Sequence, residues 1–580
     1  MSPRNATRLG WSVGAAIAVA IASAPAQAAP GPPLEASRGV VAADHPIASQ
    51  VGAGVLADGG NAIDAAVATA LAAGVVSPAS SGIGGGGFAL VWDAASGSLR
   101  VYDFREVAPA ALDPSDFVVD GAVDPLLARR GGLAVGVPGE ARGLALLART
   151  HGRMSWRRLA MPAARLARDG TPTSWFTAQA AVQVLAKLPD APPYAPLRDL
   201  LGGATPRRRG VPLVRPALAA TLLAIAADPE AFYRGKLADD LVAAVRAAGG
   251  VMTTDDLAAY TPVERPPLWG AWRGLRIATM PIPSSGGVIL LETLGILDRT
   301  GVDLVALGAD SAVALHVIAE ATKHGFADRT RLLGDSDSGR AAAAALLDDA
   351  RLRRLAAKVR LDRTQPLADY GESPPAVGAA ARVPGPGGTS HICVIDAEGN
   401  AVSLTTTVNG YFGSKLVTAG GVVLNNQIDD FAIDPTLANG FGLTQSAANL
   451  VAPGQRPLSS MTPTLLFDGG RVVGCAGGSG GPRIISNTLQ AILGVWLFGK
   501  DARAAVEAPR VHHQWSPDEL VIESDLAPDV RRALEARGHR LTLSTGVTAV
   551  QLLRVRPDGV IEAASDPRKG GAPAGPDAAP

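Results

Sequence analysis

The sequence has few of the residues that usually mark special chemistry. Cysteine is almost absent, with only Cys393 and Cys475 in 580 residues, and aromatic residues make up 4% of the chain. The 53 basic and 53 acidic residues balance, so the positive excess typical of nucleic-acid binding is missing. The 8 histidines form no H-x-x-x-H pair, and no close cysteine pair exists for zinc. We therefore expect small-molecule chemistry with no metal, no cofactor and no nucleic-acid partner.

Long apolar runs are also missing after the N-terminus. The first eight residues include two arginines, Arg4 and Arg8. An apolar run follows over residues 13–22, and then small residues continue up to Ala28. This order is typical of a secretory signal, which we place at residues 1–28, with an uncleaved anchor as the alternative. We expect a periplasmic or secreted protein that has no membrane segment once mature. Export permits a disulfide, but both cysteines lie in strand-like apolar runs, and we expect two buried free thiols.

The order of elements predicts mixed sheets covered by helices. A chain of 580 residues exceeds what one core usually supports, so two domains or one large layered unit is expected. Asn61 is placed as the N-cap of a helix, and residues 132–361 are mostly helical in pattern. Strand patterns dominate from Thr389 onward, after a segment at residues 366–388 that resembles an exposed linker.

The glycine run Gly82–Gly87 formally matches the dinucleotide pattern G-x-G-x-x-G. A nucleotide site needs a strand before the glycines and a helix after them, and here the order is reversed. No lysine follows, which excludes a P-loop. Two interpretations of the glycine run remain: a tight backbone turn, and a loop that borders a ligand pocket.

The start of a strand at Thr389 is the main chemical signal. A loop of glycine and proline ends there, and an alternating β-branched run begins at once. A threonine hydroxyl needs a base, and a threonine at a chain terminus can use its own α-amine, whose pKa of about 7.7 to 8.0 leaves part of it neutral at pH 7. This role requires cleavage of the bond between Gly388 and Thr389. The alternative is an ordinary strand that starts after a flexible loop.

The surrounding motifs resemble those of one enzyme family. They include "GGNAIDAAVA", "SSGIGGGGF", "YDFREVAP", "NNQIDDF", "RPLSSMTPT" and "ASDPRKGG", in that order. Together they resemble the γ-glutamyltransferase (γ-glutamyltranspeptidase) family of N-terminal-nucleophile hydrolases, from about Gly39 to Gly575. The resemblance implies an α+β fold, a four-layer αββα sandwich. It also implies a heterodimer of a large subunit, residues 29–388, and a small subunit, residues 389–580, cut from one precursor.

The same resemblance assigns the catalytic residues. Thr389 matches the nucleophile, and Thr407 matches the threonine that hydrogen-bonds it. Gly480 and Gly481 match the glycines whose backbone N–H groups form the oxyanion hole. Backbone donors suit this task, since no side chain obstructs the tetrahedral intermediate. The implied cleavage site is Gly388–Thr389.

The resemblance also assigns a binding pocket for a γ-glutamyl group, which carries an α-carboxylate and an α-ammonium. A planar arginine fork suits the carboxylate, and an anion with amide oxygens suits the ammonium. The implied ligands are Arg105, Ser459 and Ser460 for the carboxylate, Asn409, Gln427 and Asp430 for the ammonium, and Phe441 as the aromatic residue of a lid. Considered by itself, Arg105 has an alternative interpretation, which is a surface ion pair with Glu106.

The resemblance implies transfer of the γ-glutamyl group of glutathione or a related amide, through an ester on Thr389, to water, amino acids or peptides. Two alternatives stay open. One is an acylase of the same fold that acts on glutaryl-cephalosporin side chains, and the other is a homologue that binds glutamyl ligands without catalysis. Retention of Arg105 with Asp430 argues against the acylase, because a glutaryl chain has no ammonium.

Overall fold

The structure is a computed structural model that describes residues 32–372, 387–544 and 546–576. The predicted signal at 1–28 and most of the predicted linker lie outside these residues. No helix in the described ranges combines the length and the apolar character that crossing a bilayer requires.

The elements alternate between helices and strands along the chain. The strands are β1 (Leu34–Ala36), β2 (Gly39–Ala43), β3 (Gly86–Asp93), β4 (Ser98–Asp103), β5 (Val118–Val119), β6 (Ala122–Val123), β7 (Thr171–Pro172), β8 (Pro212–Leu213), β9 (Val263–Arg265), β10 (Leu268–Trp272), β11 (Leu275–Thr279), β12 (Gly387–Asp396), β13 (Ala401–Gly410), β14 (Thr464–Asp468), β15 (Arg471–Ser479), β16 (Val511–His512), β17 (Leu520–Ile522), β18 (Leu541–Leu543), β19 (Ala549–Val555) and β20 (Ile561–Ser565). The helices are α1 (Pro46–Ala57), α2 (Ala62–Val76), α3 (Glu140–His151), α4 (Trp156–Asp169), α5 (Trp175–Leu185), α6 (Ala195–Leu200), α7 (Pro216–Ala227), α8 (Lys236–Ala247), α9 (Thr254–Ala259), α10 (Gly286–Arg299), α11 (Leu304–Leu307), α12 (Ala312–Leu332), α13 (Asp337–Leu346), α14 (Asp349–Ala356), α15 (Arg483–Trp496), α16 (Ala502–Glu507) and α17 (Pro528–Glu535).

Two large sheets stack face to face at the centre. One has seven strands in the order β1-β20-β19-β15-β14-β11-β10, and the other has six in the order β2-β12-β13-β3-β4-β9. Their facing sides share a buried apolar layer that includes Phe88, Leu465 and Leu553. Helices α1 and α2 cover the outer face of the second sheet, with α4 packed on α2 and α7 on α4; α10 and α15 cover that of the first, with α12 packed on α10. The predicted four-layer αββα sandwich is confirmed.

Local sequence explains where several of these elements begin. Helix α2 starts after Asn61, whose side chain accepts from the Asp64 backbone N–H while the Asp64 carboxylate accepts from that of Asn61. Strand β3 starts inside the glycine run, where backbones approach closely: a Cβ at Gly85 would lie 1.9 Å from the Thr407 carbonyl oxygen. This contact favours the tight-backbone reading of the run.

The predicted boundaries need three corrections. Strand β12 begins at Gly387, two residues before the predicted start at Thr389. The predominantly helical region also supplies β9, β10 and β11, which complete the edges of both sheets. Tyr370, placed in the exposed linker, is fully buried in an apolar cluster with Phe326 and Trp515, and its hydroxyl donates to Glu320 across 2.6 Å.

The prediction of two free thiols is wrong, because Cys393 and Cys475 form a disulfide. Cys393 lies on β12 and Cys475 on β15, so the bond joins the two stacked sheets. Their Cα atoms are 5.9 Å apart, within the usual range for a disulfide. The alternation of each strand indicated that both side chains are buried, but it held no information on which residue of the other sheet they face.

Candidate active site

The candidate nucleophile Thr389 lies beside a second threonine on the neighbouring strand. Strands β12 and β13 pair antiparallel, and a bulge between Gly388 and Thr389 shifts the register so that Thr389 is opposite Thr407. The two hydroxyl oxygens are 2.9 Å apart. The Thr407 hydroxyl donates to the Gly388 carbonyl oxygen across 2.6 Å and accepts from the Asn409 N–H across 2.8 Å. Since Thr407 has one hydroxyl proton, Thr389 is the donor in the pair of hydroxyls.

This arrangement orients two groups at the Gly388–Thr389 bond. The Thr389 hydroxyl has an acceptor for its proton, and the Gly388 carbonyl oxygen, where negative charge develops on attack, has a hydroxyl donor. Thr389 is 4% exposed, so the surroundings are largely dry and these contacts are strengthened.

Gly480 and Gly481 form the turn between β15 and α15. Their φ angles of +127° and +63° lie where L side chains are disfavoured, so glycine suits both positions. The backbone just before Thr389 passes directly beside them, since a Cβ at Gly387 would lie 2.8 Å from the Gly481 nitrogen. The positive end of the α15 dipole lies just beyond this turn, which adds to its affinity for negative charge.

A small cavity of about 20 Å³, which we call the donor cavity, opens beside Thr389. It has room for about one water molecule. Its lining includes most of the predicted site residues: Arg105, Thr389, Thr407, Asn409, Gln427, Asp430, Phe441, Ser459, Ser460 and Gly481. Gly388 and Gly480 adjoin this lining along the chain. The structure therefore gathers at one place residues that the sequence spreads over more than three hundred positions.

A buried ion pair crosses the donor cavity. The Arg105 guanidinium donates to the Asp430 carboxylate across 2.6 Å, and Gln427 donates to the same oxygen across 2.7 Å. Arg105 is fully buried, which excludes the alternative of a surface pair with Glu106. Its Nε also donates to the Pro457 carbonyl across 3.2 Å, so the fork is held in place. The pair presents a fixed cation and a fixed anion to one small space.

The two serines are positioned through their backbone. The Ser459 N–H donates to the Pro283 carbonyl across 2.7 Å, and the Ser285 hydroxyl donates to the Ser459 carbonyl across 2.8 Å. The Ser459 hydroxyl accepts from the Met461 N–H across 3.0 Å. Both Ser459 and Ser460 line the donor cavity, as the resemblance implies.

Phe441 covers the donor cavity, with its ring against Gly481. Hydrogen bonds hold the segment around Phe441 at two points, Gly440 and Phe441. The Gly440 N–H donates to both oxygens of Asp429 at 3.0 Å, and Arg129 pairs with Asp429 at 3.1 Å. Burial raises the pKa of Asp429 to about 6. The side chain of Gln514 donates to the Phe441 carbonyl across 3.1 Å.

Sequence reasoning missed a buried lysine next to the candidate nucleophile. The Lys569 ammonium donates to the Thr389 carbonyl oxygen and pairs with Asp44 at 2.7 Å. Burial lowers the pKa of Lys569 and raises that of Asp44, and each partner's charge opposes the shift. Lys569 lies in the block "ASDPRKGG" that supports the resemblance, but a lone lysine near a chain end usually indicates an exposed side chain.

Two buried carboxyl groups were also missed. Glu106 follows Arg105 and is fully buried, and its side-chain oxygens have no hydrogen-bond partner in the described part of the chain. Glu140 accepts from the Thr406 hydroxyl. Burial raises the pKa of each to about 8. Both are therefore mainly protonated at neutral pH.

A buried threonine near the start of a central strand, in two stacked sheets with helices outside, is typical of the class of N-terminal-nucleophile hydrolases. The family model of γ-glutamyltranspeptidase matches residues 48–576. The chain therefore belongs to the γ-glutamyltranspeptidase family and is an enzyme of this class.

Individual relatives agree with this assignment. The chain is 36% identical over 540 residues to the glutathione hydrolase proenzyme of Escherichia coli strain K12, covering 92% of this chain and 91% of that protein. A cephalosporin acylase from Bacillus halodurans has a TM-score of 0.82 at 28% identity, covering 96% of this chain and 99% of that one. A γ-glutamyltranspeptidase from Helicobacter pylori has a TM-score of 0.53 at 33% identity, covering 59% of this chain and 95% of that one.

Proposed function

We propose that the chain is a glutathione hydrolase and γ-glutamyltransferase that first cleaves itself between Gly388 and Thr389. The observation that carries this proposal is the proton path from the Thr389 hydroxyl to Thr407, with the Thr407 hydroxyl on the Gly388 carbonyl. The Arg105–Asp430 pair in the same cavity supports a zwitterionic γ-glutamyl compound as the donor.

Maturation begins with attack of the Thr389 oxygen on the Gly388 carbonyl carbon. As the Thr407 oxygen receives the Thr389 proton, Thr407 passes its own proton to the oxyanion, which leaves a neutral tetrahedral intermediate. The carbonyl then re-forms and its proton is transferred to the nitrogen as the Gly388–Thr389 C–N bond breaks, which leaves an ester at the threonine oxygen and a free α-amine. Water then hydrolyses the ester and leaves Thr389 as a chain terminus.

Turnover uses the same oxygen with a different base. The freed α-amine takes the hydroxyl proton while the oxygen attacks the γ-carbonyl of the donor. The backbone N–H groups of Gly480 and Gly481 stabilise the oxyanion, and the leaving amine departs with the proton. Water, an amino acid or a peptide then attacks the γ-glutamyl ester and restores the Thr389 hydroxyl.

The donor binds through its two charges. Its α-carboxylate takes the Arg105 fork with help from Ser459 and Ser460, and its ammonium takes Asp430 with Asn409 and Gln427. The ligand-free Arg105–Asp430 pair supports this assignment, because each charge keeps a partner before and after binding.

After cleavage, residues 29–388 and 389–580 remain together as a heterodimer. Strand β12 of the small subunit lies between β2 of the large subunit and β13. Strands β10 and β11 of the large subunit extend a sheet whose centre belongs to the small subunit. Separation would expose both sheets, so cleavage of one bond does not release either part. The signal-like residues 1–28 support export to the periplasm or the medium.

The similarity to a cephalosporin acylase favours a second candidate activity, on glutaryl amides. A glutaryl group offers Arg105 a carboxylate but leaves Asp430 without a cation, which is costly in a buried site. The test compares kcat/KM for glutathione and for a glutaryl-cephalosporin on the cleaved enzyme, with Thr389→Ala as the inactive control. We expect glutathione to be preferred by at least about a hundredfold. A preference for the glutaryl donor would establish the acylase reading instead.

A further inference from the structure

Arg329 lies on α12 close to the donor cavity, and the steps proposed above give it no role. It is fully buried, and no carboxylate of residues 32–372, 387–544 and 546–576 forms an ion pair with it. Burial lowers the pKa of Arg329 to about 10, so the guanidinium stays charged at neutral pH. The charges that act on it are those of Asp430 and Arg105. A buried cation without a carboxylate partner is costly, so the groups that it hydrogen-bonds indicate its role.

One edge of the Arg329 guanidinium is connected to the two serines of the donor cavity. Its Nε donates to the Ser285 hydroxyl across 3.1 Å, and that hydroxyl donates to the Ser459 carbonyl across 2.8 Å. The Ser285 backbone N–H donates to the same carbonyl across 2.9 Å. Ser285 directly precedes α10, while Ser459 and Ser460 line the cavity. Arg329 therefore helps to fix the backbone that carries both proposed carboxylate ligands.

Another nitrogen of the same guanidinium is connected to Asp430. Nη2 of Arg329 donates to the side-chain oxygen of Gln445 across 3.3 Å, and the Gln445 amide donates to the Asp430 backbone carbonyl across 2.7 Å. Asn449 donates to the same two oxygens, across 2.7 Å to Asp430 and 2.8 Å to Gln445. All four residues are buried, so water does not compete for these bonds. The position of Asp430 therefore depends on Arg329 through one intervening side chain.

These two sets of bonds join the halves of the donor cavity that face opposite charges of the donor. The carboxylate and the ammonium of a γ-glutamyl group are attached to one carbon atom, so their partners must keep a fixed spacing. A guanidinium holds its donors in a rigid, planar fork and can fix two acceptors relative to each other, whereas a lysine ammonium is a point charge on a flexible stem. Among the described residues, Arg329 is not part of the cavity lining, so it acts through Ser285 and Gln445.

We propose that Arg329 is a positioning residue that sets the spacing between the two serines and Asp430, and thereby makes the site specific for a carboxylate and an ammonium on the same carbon. This inference rests on the proposed function. In the cleaved protein, Arg329 and Ser285 belong to the large subunit, whereas Ser459, Gln445 and Asp430 belong to the small subunit. The same bonds therefore align the donor site across the boundary between the subunits.

The test measures inhibition of γ-glutamyl-p-nitroanilide hydrolysis by L-glutamate and by glutarate, which lacks the ammonium. The readout is the ratio of the inhibition constants, glutarate to glutamate, because a general loss of folded enzyme or of catalytic rate cancels within one variant. The ratio should be about a hundredfold in wild type and about tenfold lower in Arg329→Lys, which keeps the charge and loses the fork. Arg331→Lys is the matched control, because Arg331 lies on the same helix and donates to the Tyr370 carbonyl across 2.8 Å, outside the cavity lining. It should keep the wild-type ratio.

Ser285→Ala and Gln445→Met provide milder variants, since each removes one of the two connections and leaves Arg329 in place. Both should lower the ratio in the same direction. A ratio that stays at the wild-type value in Arg329→Lys and in both milder variants, or that is already close to one in wild type, would overturn the positioning role, while nitroaniline release leaves the proposed function intact. A cleaved wild type that releases no nitroaniline would contradict the proposed function and this role together.

Discussion

The Arg105 guanidinium and the Asp430 carboxylate are 2.6 Å apart in the donor cavity, although 325 positions separate them in sequence. In the absence of a ligand each neutralises the other, so neither charge is buried alone. A γ-glutamyl group carries the opposite charge for each of them. In the proposed complex, binding would exchange this one ion pair for two, so both charges would stay paired in a buried site.

Arg105→Ala should raise the KM for glutathione by about a hundredfold and leave self-cleavage intact, because Arg105 makes no contact with the Gly388–Thr389 bond. The matched control is Arg105→Ala/Asp430→Asn, which removes the unpaired carboxylate that the single variant leaves behind. Steady-state kinetics on the cleaved proteins measure the effect. An unchanged KM in Arg105→Ala would show that this arginine does not bind the donor.

Thr407→Val should slow self-cleavage by about a hundredfold or more, since valine keeps the shape of threonine but cannot donate to the Gly388 carbonyl. Thr407→Ser, which keeps the hydroxyl, should cleave far faster than the valine variant. Electrophoresis of samples taken over time after purification measures both rates. Equal rates for valine and serine would show that the Thr407 hydroxyl takes no part.

The sequence predicts contacts between site residues that are close along the chain better than contacts between residues that are far apart along it. Thr389 and Thr407 are 18 positions apart on a hairpin, so two alternating strands with a short turn already bring them together. Arg105 and Asp430 come together only through the full layered fold, and only the resemblance indicated that they share a pocket. Patterns of alternation reveal burial but not the partner across a layer, which is why the Cys393–Cys475 bond was missed.

Lys569→Met should lower the free energy of unfolding by about 3 to 5 kcal/mol, because it leaves the Asp44 carboxylate buried without its ammonium partner. Lys569→Met/Asp44→Asn should recover much of that loss. Denaturant titration of the Thr389→Ala precursor background, in which every variant is compared uncut, measures the double-mutant cycle. Additive losses in the double variant would show that the two side chains are not coupled.

Glu140→Gln should make the stability of the protein depend less on pH between about 4.5 and 8. Burial raises the pKa of Glu140 from 4.5 to about 8, so the folded state retains a proton that the unfolded state has released. Stability from this group is complete below pH 4.5 and is lost as pH rises through about 8, by up to about 1.4 kcal/mol per pH unit. Glutamine still accepts from the Thr406 hydroxyl and does not titrate.

Thermal unfolding of wild type and Glu140→Gln between pH 6 and about 9 measures this difference. The Tm of the variant should fall less than that of wild type as pH rises across this range. Glu106 should make the Tm of both proteins depend on pH to some extent, because its pKa is also raised to about 8. Parallel curves would mean that Glu140 is already ionised in the folded protein.

The disulfide should lie wholly within the proposed small subunit, because Cys393 and Cys475 both follow the proposed cleavage site. Denatured, non-reduced enzyme should therefore separate into two fragments, and reduction should raise the mass of the smaller one by about 2 Da, one hydrogen for each thiol. Cys393→Ser/Cys475→Ser should lower the free energy of unfolding by about 2 to 4 kcal/mol. Free thiols on both cysteines of the unreduced protein would contradict the observed bond.

The central claim is that Thr389 becomes a chain terminus and the nucleophile, and intact mass with N-terminal sequencing of the purified protein tests it most directly. We predict two fragments, the smaller beginning Thr-Ser-His-Ile, and a single uncut, inactive chain for Thr389→Ala. A wild-type protein that hydrolyses glutathione as one uncut chain, or a Thr389→Ala variant that is cut at this bond and active, would contradict the account.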